Sequence, residues 1–420
     1  MSRVFAYVLA VGVFASSASA QPLTIAAAID EAVQHNLSLL AARSSLTIAD
    51  AQMISARLRP NPVASVSADH LDALGTGFNE TNNGGPPEVA VRVDLPLERG
   101  GKREARIAVA TAVRSEAEAQ FADAVRTLRQ DVTLACIDVM AAQALRALMA
   151  DTLGTYEGLA RVNKARVVAG SIPGFEATRS EVAMLQFRAT VVRADLDLAK
   201  ATAQLRTLLG RPPEAPLEIV DALAIAASER TADDVAAVES LALRSRPDLL
   251  SLQLAQARSV ADLRLQEALG RVDYTVGAEY RRQQGISGRS NSLGFFFSAP
   301  LPLLSRNQGE IARAGAERDQ AGHLIAARRA QVIADVRSAH HDYTVTRELV
   351  AGIERDLLVP AGRVRDISSY TYQAGGGTLL ELLDAQRAFN ETMQTYVDAQ
   401  ANLRRAIARL NAAAGTEVVR

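Results

Sequence analysis

Glu88-Val89-Ala90-Val91-Arg92-Val93-Asp94-Leu95-Pro96-Leu97-Glu98-Arg99-Gly100-Gly101-Lys102 contains both kinds of structure from which this chain is built. Val89, Val91, Val93 and Leu95 point one way, with Glu88, Arg92 and Asp94 on the other face. That period of two marks a strand with one apolar and one charged side. Pro96 is expected to end the strand, and Gly100-Gly101 to make the turn into a helix beginning at Lys102-Arg103. Lys102 to Val168 then gives 67 residues without proline. As one helix this would reach roughly 100 Å at 1.5 Å per residue. No compact domain has a use for that length.

The pattern is written twice. Ala32-Val33 through Leu39-Leu40 aligns with Ala242-Leu243 through Leu249-Leu250, and Leu95-Pro96-Leu97 aligns with Leu301-Pro302-Leu303. Ala169-Gly170 with Glu176 matches Ala374-Gly375 with Glu381, and Leu205 and Gly210 match Leu410 and Gly415. A tandem duplication follows. It places a first repeat at 21–213, a linker at 214–235 with a short strand candidate at Leu217 to Val220, and a second repeat at 236–420. Each repeat opens with a helix (Ser38 to Arg59, Asp248 to Leu269). Two strands follow, at about 62–71 and 87–96 in one half and 272–282 and 291–301 in the other. Each repeat closes with a long helical hairpin, about 102–209 and 309–414. Pro360 should kink or break the second, and Gly210 with Pro212-Pro213 should stop the first. Val125, Leu128, Val132, Ala135 and Val139 step by three and four, as do Val182, Leu185, Ala189, Val192, Leu196, Ala199 and Ala203. These are coiled-coil heptads, with alanines that let helices approach closely.

The other three strands alternate as well. Tyr274, Val276, Ala278 and Tyr280 oppose Asp273, Thr275, Glu279 and Arg281, while Leu293, Phe295, Phe297 and Ala299 oppose Ser292, Gly294 and Ser298. Ala64, Val66 and Ala68 oppose Ser65, Ser67 and Asp69. Nine to ten residues is the length of a tilted membrane-crossing strand. Polar loops from Gly75 to Gly85 (with Asn79, Asn82 and Asn83) and from Gln283 to Asn291 separate them. Tyr274, Tyr280, Phe295, Phe296 and Phe297 read as interfacial girdles. The lipid-facing side is therefore expected at Val89, Val91, Val93, Tyr274, Val276, Tyr280, Phe295 and Phe297. Four strands cannot close a barrel, and an open edge in lipid is costly, so copies must combine. Two would give eight strands and three would give twelve; only the larger barrel leaves room for a pore.

Composition narrows the function. The chain has 420 residues, 48% of them hydrophobic but only 4% aromatic, with no Trp, as expected of Ala-rich helices packed closely. With 46 basic and 47 acidic residues, it is no cationic nucleic-acid binder. One cysteine excludes a disulfide scaffold. Met1 to Ala20 reads as a secretory signal peptide, with Ala18-Ser19-Ala20 before the cleavage point and Gln21, not Cys, after it. No later segment has eighteen uninterrupted apolar residues, so membrane entry would be through strands. His35, His70, His323, His340 and His341 show no metal-binding spacing, and Gly375-Gly376-Gly377 lacks the strand and lysine of a phosphate loop. No enzyme, metal site or cofactor is expected.

Taken together, these features resemble the TolC-like outer membrane factors over the whole mature chain. The sharpest match is Tyr372 followed by Gly377-Thr378-Leu379-Leu380-Glu381-Leu382-Leu383-Asp384-Ala385, similar to that family's periplasmic-tip pattern. The resemblance implies a mainly α fold with a small membrane β-barrel: a homotrimer with a 12-stranded barrel and an α-helical tunnel. It implies a passive exit duct in the cell outer membrane of a Gram-negative bacterium, with a long periplasmic portion. A periplasmic adaptor (membrane fusion) protein would couple it to an inner-membrane pump of the resistance-nodulation-division type. The two acids of the tunnel entrance would be Glu381 and Asp384, and the gating tyrosine Tyr372; Gly377 stands where the family can carry a basic residue. Small residues at the tips, Gly170 and Ser171 with Gly375 and Gly376, would receive the adaptor. Leu95 to Arg103 resembles the cobalt–zinc–cadmium branch, which implies divalent heavy-metal cargo. Multidrug efflux or type I protein secretion is the alternative within the family. A soluble periplasmic coiled-coil adaptor is the alternative outside it, and that would have one helical hairpin and no lipid-facing strands.

Overall fold

The computed structural model describes residues 22–71, 73–75, 77, 87–224, 234–285 and 288–419. The leader Met1 to Ala20 and the loop residues Asn79, Asn82, Asn83 and Gly85 lie outside the described residues. In chain order the elements are β1 (Pro22–Leu23), α1 (Ile25–His35), α2 (Leu37–Arg57), β2 (Val63–Asp69) and β3 (Glu88–Leu97). Then come α3 (Lys102–Val168), α4 (Gly174–Leu209), β4 (Glu218–Ile219), α5 (Val235–Ser245) and α6 (Pro247–Leu269). The chain finishes with β5 (Tyr274–Gly285), β6 (Gly288–Ser298), α7 (Gln308–Asp356), α8 (Leu358–Gln373) and α9 (Leu379–Ala414). Two compact units result: one of Met1–Leu40, Val125–Glu239 and Asp335–Arg420, the other of Ala41–Ala124 and Ser240–Ala334. Each draws on both halves of the sequence, so neither repeat folds as a body of its own.

The second unit holds an antiparallel sheet in the order β2-β3-β5-β6. Its central pair joins the halves, with Val91 opposite Tyr280, Val93 opposite Ala278 and Leu95 opposite Val276. β3 does not stop at Pro96, which lies opposite Thr275. β2 begins at Val63 opposite Asp94, so beyond that point β3 is an edge on one side, the kind of position where a strand proline is tolerated. The segment read as a loop from Gln283 to Asn291 is largely strand, because pairing continues to Gly285 opposite Gly288.

α3 runs unbroken for 67 residues. Alone among the described residues, it also contains an 18-residue window long and apolar enough to cross a membrane by length and composition. Interruption by a few polar residues keeps it from being an uninterrupted apolar run. Leu128, Val132, Ala135 and Val139 are buried along it, as a packed heptad seam requires, and Cys136 and Ile137 beside that seam are buried too. In the second half the counterpart breaks at Leu357, three residues ahead of Pro360. Pro360 cannot donate to the carbonyl four residues back, whereas the Leu357 amide still reaches Ile353 O (3.0 Å) and Ala361 resumes with Leu357 O (3.0 Å). Asn307, with φ +64°, holds before α7 the left-handed position that Gly101 (+72°) holds before α3. Asparagine is the side chain that tolerates this conformation best.

The linker is pinned in the first unit. Glu218 and Ile219 pair in parallel with Pro22 and Leu23, and the Arg404 guanidinium donates to the carbonyls of Ala222, Leu223 and Ala224 at 2.6 to 3.0 Å. Arg211 makes a bidentate pair with Glu31 (2.5 and 2.7 Å), tying the end of α4 to α1. α4 differs from its sequence reading: Val182, Leu185, Val192 and Leu196 are exposed. The enclosed stripe is a second heptad, Ser180, Met184, Phe187, Val191, Ala194, Leu198, Ala201 and Leu205. A helix with two such stripes can pack against neighbours on two sides.

Candidate functional site

Polarity across the sheet is inverted. Val91 is 45% exposed and Phe295 80%, while Ala90 on the opposite face is 4% exposed. Val89, Val93, Leu95, Leu97, Val276, Tyr280, Leu293 and Phe297 are exposed with them; Tyr274 is half-buried, its ring centroid 5.1 Å from that of Phe297. The charged residues instead cover one another on the inner face. Arg92 pairs with Asp94 (2.8 Å), and Arg281 bridges Glu88 (2.9 Å) and Glu279 (3.0 Å). Phe296 belongs to this inner face rather than to the outer girdle: period two puts it between Gly294 and Ser298, and the Arg92 guanidinium lies 4.0 Å over its ring. Gly277 leaves the space these groups occupy, since a Cβ there would stand 2.2 Å from Asp94 Oδ1. A soluble antiparallel sheet hides its apolar face and wets the charged one. This sheet does the reverse.

The two helical hairpins turn by the same device. Gly170 (φ +71°) ends α3 with the Ser171 amide on Arg166 O (2.8 Å), and Gly375 (φ +81°) ends α8 with the Gly376 amide on Thr371 O (3.0 Å). These are six-to-one closures that need a left-handed residue. No atom lies within 4 Å of a Cβ built on Gly170 or Gly375. Behind these turns Tyr372 is buried with Tyr156, Leu379, Leu382 and Leu383, and Tyr156 stacks on Phe187 at 4.6 Å. The Tyr372 hydroxyl donates to Asn163 Oδ1 (2.7 Å), and the Arg166 guanidinium lies 5.4 Å from its ring centroid. Burial raises the Tyr372 pKa, which keeps the hydroxyl a donor. Asn163 is fully buried, and its Nδ2 has no acceptor among the described residues. A second polar layer lies further along, where Thr152 and Gln386 both donate to Asn390 Oδ1 (3.2 and 3.1 Å). An apolar groove of about 610 Å³ opens beside Tyr372, lined by Tyr156, Leu159, Val162 and Leu382 among others. No sequence signal distinguishes Asn163, which stands among Arg161, Lys164 and Arg166 in one continuous helical run.

Glu381 has a local task. Thr378 caps α9 by accepting from the Glu381 amide (3.3 Å), and Glu381 Oε2 accepts from the Thr378 amide (2.9 Å). This capping box holds the Glu381 carboxyl below its ordinary value, chiefly through the Thr378 backbone hydrogen bond. Asp384 is exposed and 3.8 Å from Arg387. A lowered folded-state pKa means that the cap contributes above the ordinary glutamate value of 4.5 and is lost as pH falls through the folded value. Hydrogen-exchange protection at Leu379 to Leu382 should therefore exceed that of a Glu381→Ala variant at pH 7. The difference should vanish in acid; a gap that persists there would contradict the cap.

Cys136 is buried and its thiol pushed up to about 12 by burial, so it is no thiolate ligand at neutral pH. Among the described residues no three His, Cys, Asp or Glu side chains gather as a metal site.

Residues 28–211 and 238–416 match the outer membrane efflux protein family. The cobalt-zinc-cadmium resistance protein CzcC of Cupriavidus metallidurans is 27% identical over 390 residues, covering 90% of this chain and 87% of its own. The pyoverdine export outer membrane protein OpmQ of Pseudomonas aeruginosa is 27% identical over 309 residues, 69% of this chain and 60% of its own. The crystal structure of the outer membrane protein VceC from Vibrio cholerae superposes with a TM-score of 0.73 at 17% identity, covering 94% of this chain and 96% of that one.

Proposed function

Because the chain belongs to the outer membrane efflux protein family, we propose that it is the exit duct of a tripartite efflux system, with divalent heavy-metal cations as cargo. The inverted sheet carries the reading: hydrocarbon can wet its exposed valines and phenylalanines, and the inner face of paired charges suits an aqueous lumen. A soluble adaptor with one hairpin has neither this sheet nor the two helical hairpins. With four strands to a chain, closure needs further copies, and three would give a 12-stranded barrel. The exposed heptad stripe Val182 to Leu196 of α4 would then pack on a neighbouring subunit.

In this assembly Glu381 and Asp384 lie beside the entrance and add negative charge around it, which favours cations. The Tyr372–Asn163 hydrogen bond ties α8 to α3 and serves as the closing latch. One amide end of Asn163 finds no partner among the described residues, so the closed arrangement is stabilised less than an apolar layer would allow. An adaptor tip docks at Gly170, Ser171, Gly375 and Gly376, where no side chain bars the approach, and an inner-membrane pump supplies the energy.

Metal cargo is supported by the similarity to CzcC over most of both chains. The likeness to OpmQ at equal identity over fewer residues favours a second reading, a small organic cargo. Deleting the gene from its host and restoring it decides between them. Cobalt, zinc and cadmium tolerance should fall severalfold on deletion and return on restoration, while drug and siderophore export stay unchanged. Unchanged metal tolerance with impaired organic export would assign the organic cargo instead.

A further inference from the structure

The apolar outer face of the sheet has a border where β3 leads towards α3, and three arginines follow that border. The outward column Val89, Val91, Val93, Leu95, Leu97 continues two residues on to Arg99, whose guanidinium sits 4.2 Å over the ring of Tyr274. Tyr274 is itself the residue opposite Leu97. The following Gly100 leaves room for Arg271, since a Cβ at Gly100 would stand 2.5 Å from Arg271 Cδ. Gly270, in turn, lies against the main chain of Arg306, with its Cβ position 2.7 Å from Arg306 O. Arg99, Arg271 and Arg306 thus succeed one another in space, and all three are exposed.

Their neighbours are paired, and they are not. Lys102 takes Asp273 (2.7 Å) and Arg106 takes Glu98, whereas the three arginines form no ion pair among the described residues. Next to Arg306 the loop Leu301-Pro302-Leu303-Leu304 exposes its leucines by 77, 78 and 93%. It is held in place by Arg306 Nε donating to Pro302 O (3.2 Å) and Gln308 Nε2 donating to Leu304 O (3.2 Å). Guanidiniums with no ion pair among the described residues, beside exposed leucines and continuous with a face fit for hydrocarbon, match the depth order of a bilayer boundary.

We infer that this border is a phospholipid-headgroup site in the periplasmic leaflet. Arg99, Arg271 and Arg306 take the phosphates of anionic phospholipid, and Leu301, Leu303 and Leu304 enter the first carbons of the acyl chains. Arginine suits the role because its fork binds phosphate bidentately while its stem lies along apolar surface. The inference rests on reading the sheet as a barrel wall.

The test uses the full chain extracted in mild detergent, titrated with phosphatidylglycerol or phosphatidylcholine and read by native mass spectrometry. The triple variant R99Q/R271Q/R306Q should bind phosphatidylglycerol weaker by on the order of a hundredfold. R129Q/R161Q, with exposed arginines elsewhere on α3, should match the wild type. Should the triple variant fail to fold, Arg271→Gln alone should lower binding severalfold, since among the described residues its side chain makes no hydrogen bond or ion pair. Equal phosphatidylglycerol binding by variant and wild type overturns the site. Displacement of the lipid by excess inorganic phosphate also overturns it, in favour of a free-anion site. Heat-modifiable migration is scored on the same samples. If the wild type lacks it, the barrel reading fails and this inference with it; if it is present while lipid binding is unchanged, this inference alone fails.

Discussion

Val91→Arg is expected to abolish heat-modifiable migration and to remove the chain from the outer-membrane fraction. Val91 is an exposed residue in the middle of the outer column, opposite Tyr280 on β5 and Val66 on β2. On a lipid-facing strand an arginine at the midplane costs about 2–4 kcal/mol. In the proposed trimer, three copies would bring about 6–12 kcal/mol, comparable with the whole stability of a folded domain. If the same sheet faced water, an arginine at so exposed a position would change stability by about 0.5 kcal/mol or less. The opposite results make the experiment decisive. Val91→Thr should be tolerated, and wild-type migration of Val91→Arg would refute the lipid-facing assignment of β3.

Tyr372→Phe is expected to raise single-channel conductance in planar bilayers severalfold, and Tyr372→Ala to raise it further. Removing the hydroxyl leaves the buried Asn163 side chain without its one partner among the described residues, at a cost of about 1–3 kcal/mol per chain. Removing the ring adds a cavity among Tyr156, Leu379, Leu382 and Leu383, typically about 3–5 kcal/mol for a large aromatic. Both costs fall on the closed arrangement if Tyr372 is released from α3 on opening. Asn163→Ala should act like Tyr372→Phe, and the double variant should add little, since both remove one interaction. Tyr370→Phe, on an exposed side chain two residues away, is the control. Conductance unchanged in all of them would assign the hydrogen bond to packing alone.

Much of the architecture was legible in residues 88–102 and their counterparts. Period two in Val89 to Leu95 marks a strand whatever it packs on, and a proline-free run from Lys102 to Val168 can hardly be anything but helix. The glycines of the two tips were legible for the same local reason, because Gly170 and Gly375 both need positive φ. Phe296 was misplaced among the girdle aromatics by composition, although its own alternation with Gly294 and Ser298 already put it inside. On α4 the stripe from Val182 to Leu196 is exposed and the one from Ser180 to Leu205 is covered, and both are heptads. Two heptad stripes share that helix, and periodicity cannot say which one its own chain covers.

The proposed entrance and latch divide along the same line. That Glu381 stands near a helix start follows from Gly377-Thr378 ahead of an apolar run, and the capping box is local chemistry that sequence can express. Tyr372 against Asn163 is a contact between residues 209 apart in the chain, and no local pattern encodes it. The sequence by itself determined most of the strand, helix and turn segments, though not the pairing that extends through Gln283 and Asn291, as well as the double occurrence of their order and which strand face is apolar. Only tertiary structure decided that β3 pairs with β5, so that each unit mixes the two halves, and that the apolar face of the sheet is the open one. The physical reason is range. Backbone sterics and side-chain period act over a few residues, whereas strand partners, the choice between two seams and a buried hydrogen bond depend on contacts that exist only once distant segments meet.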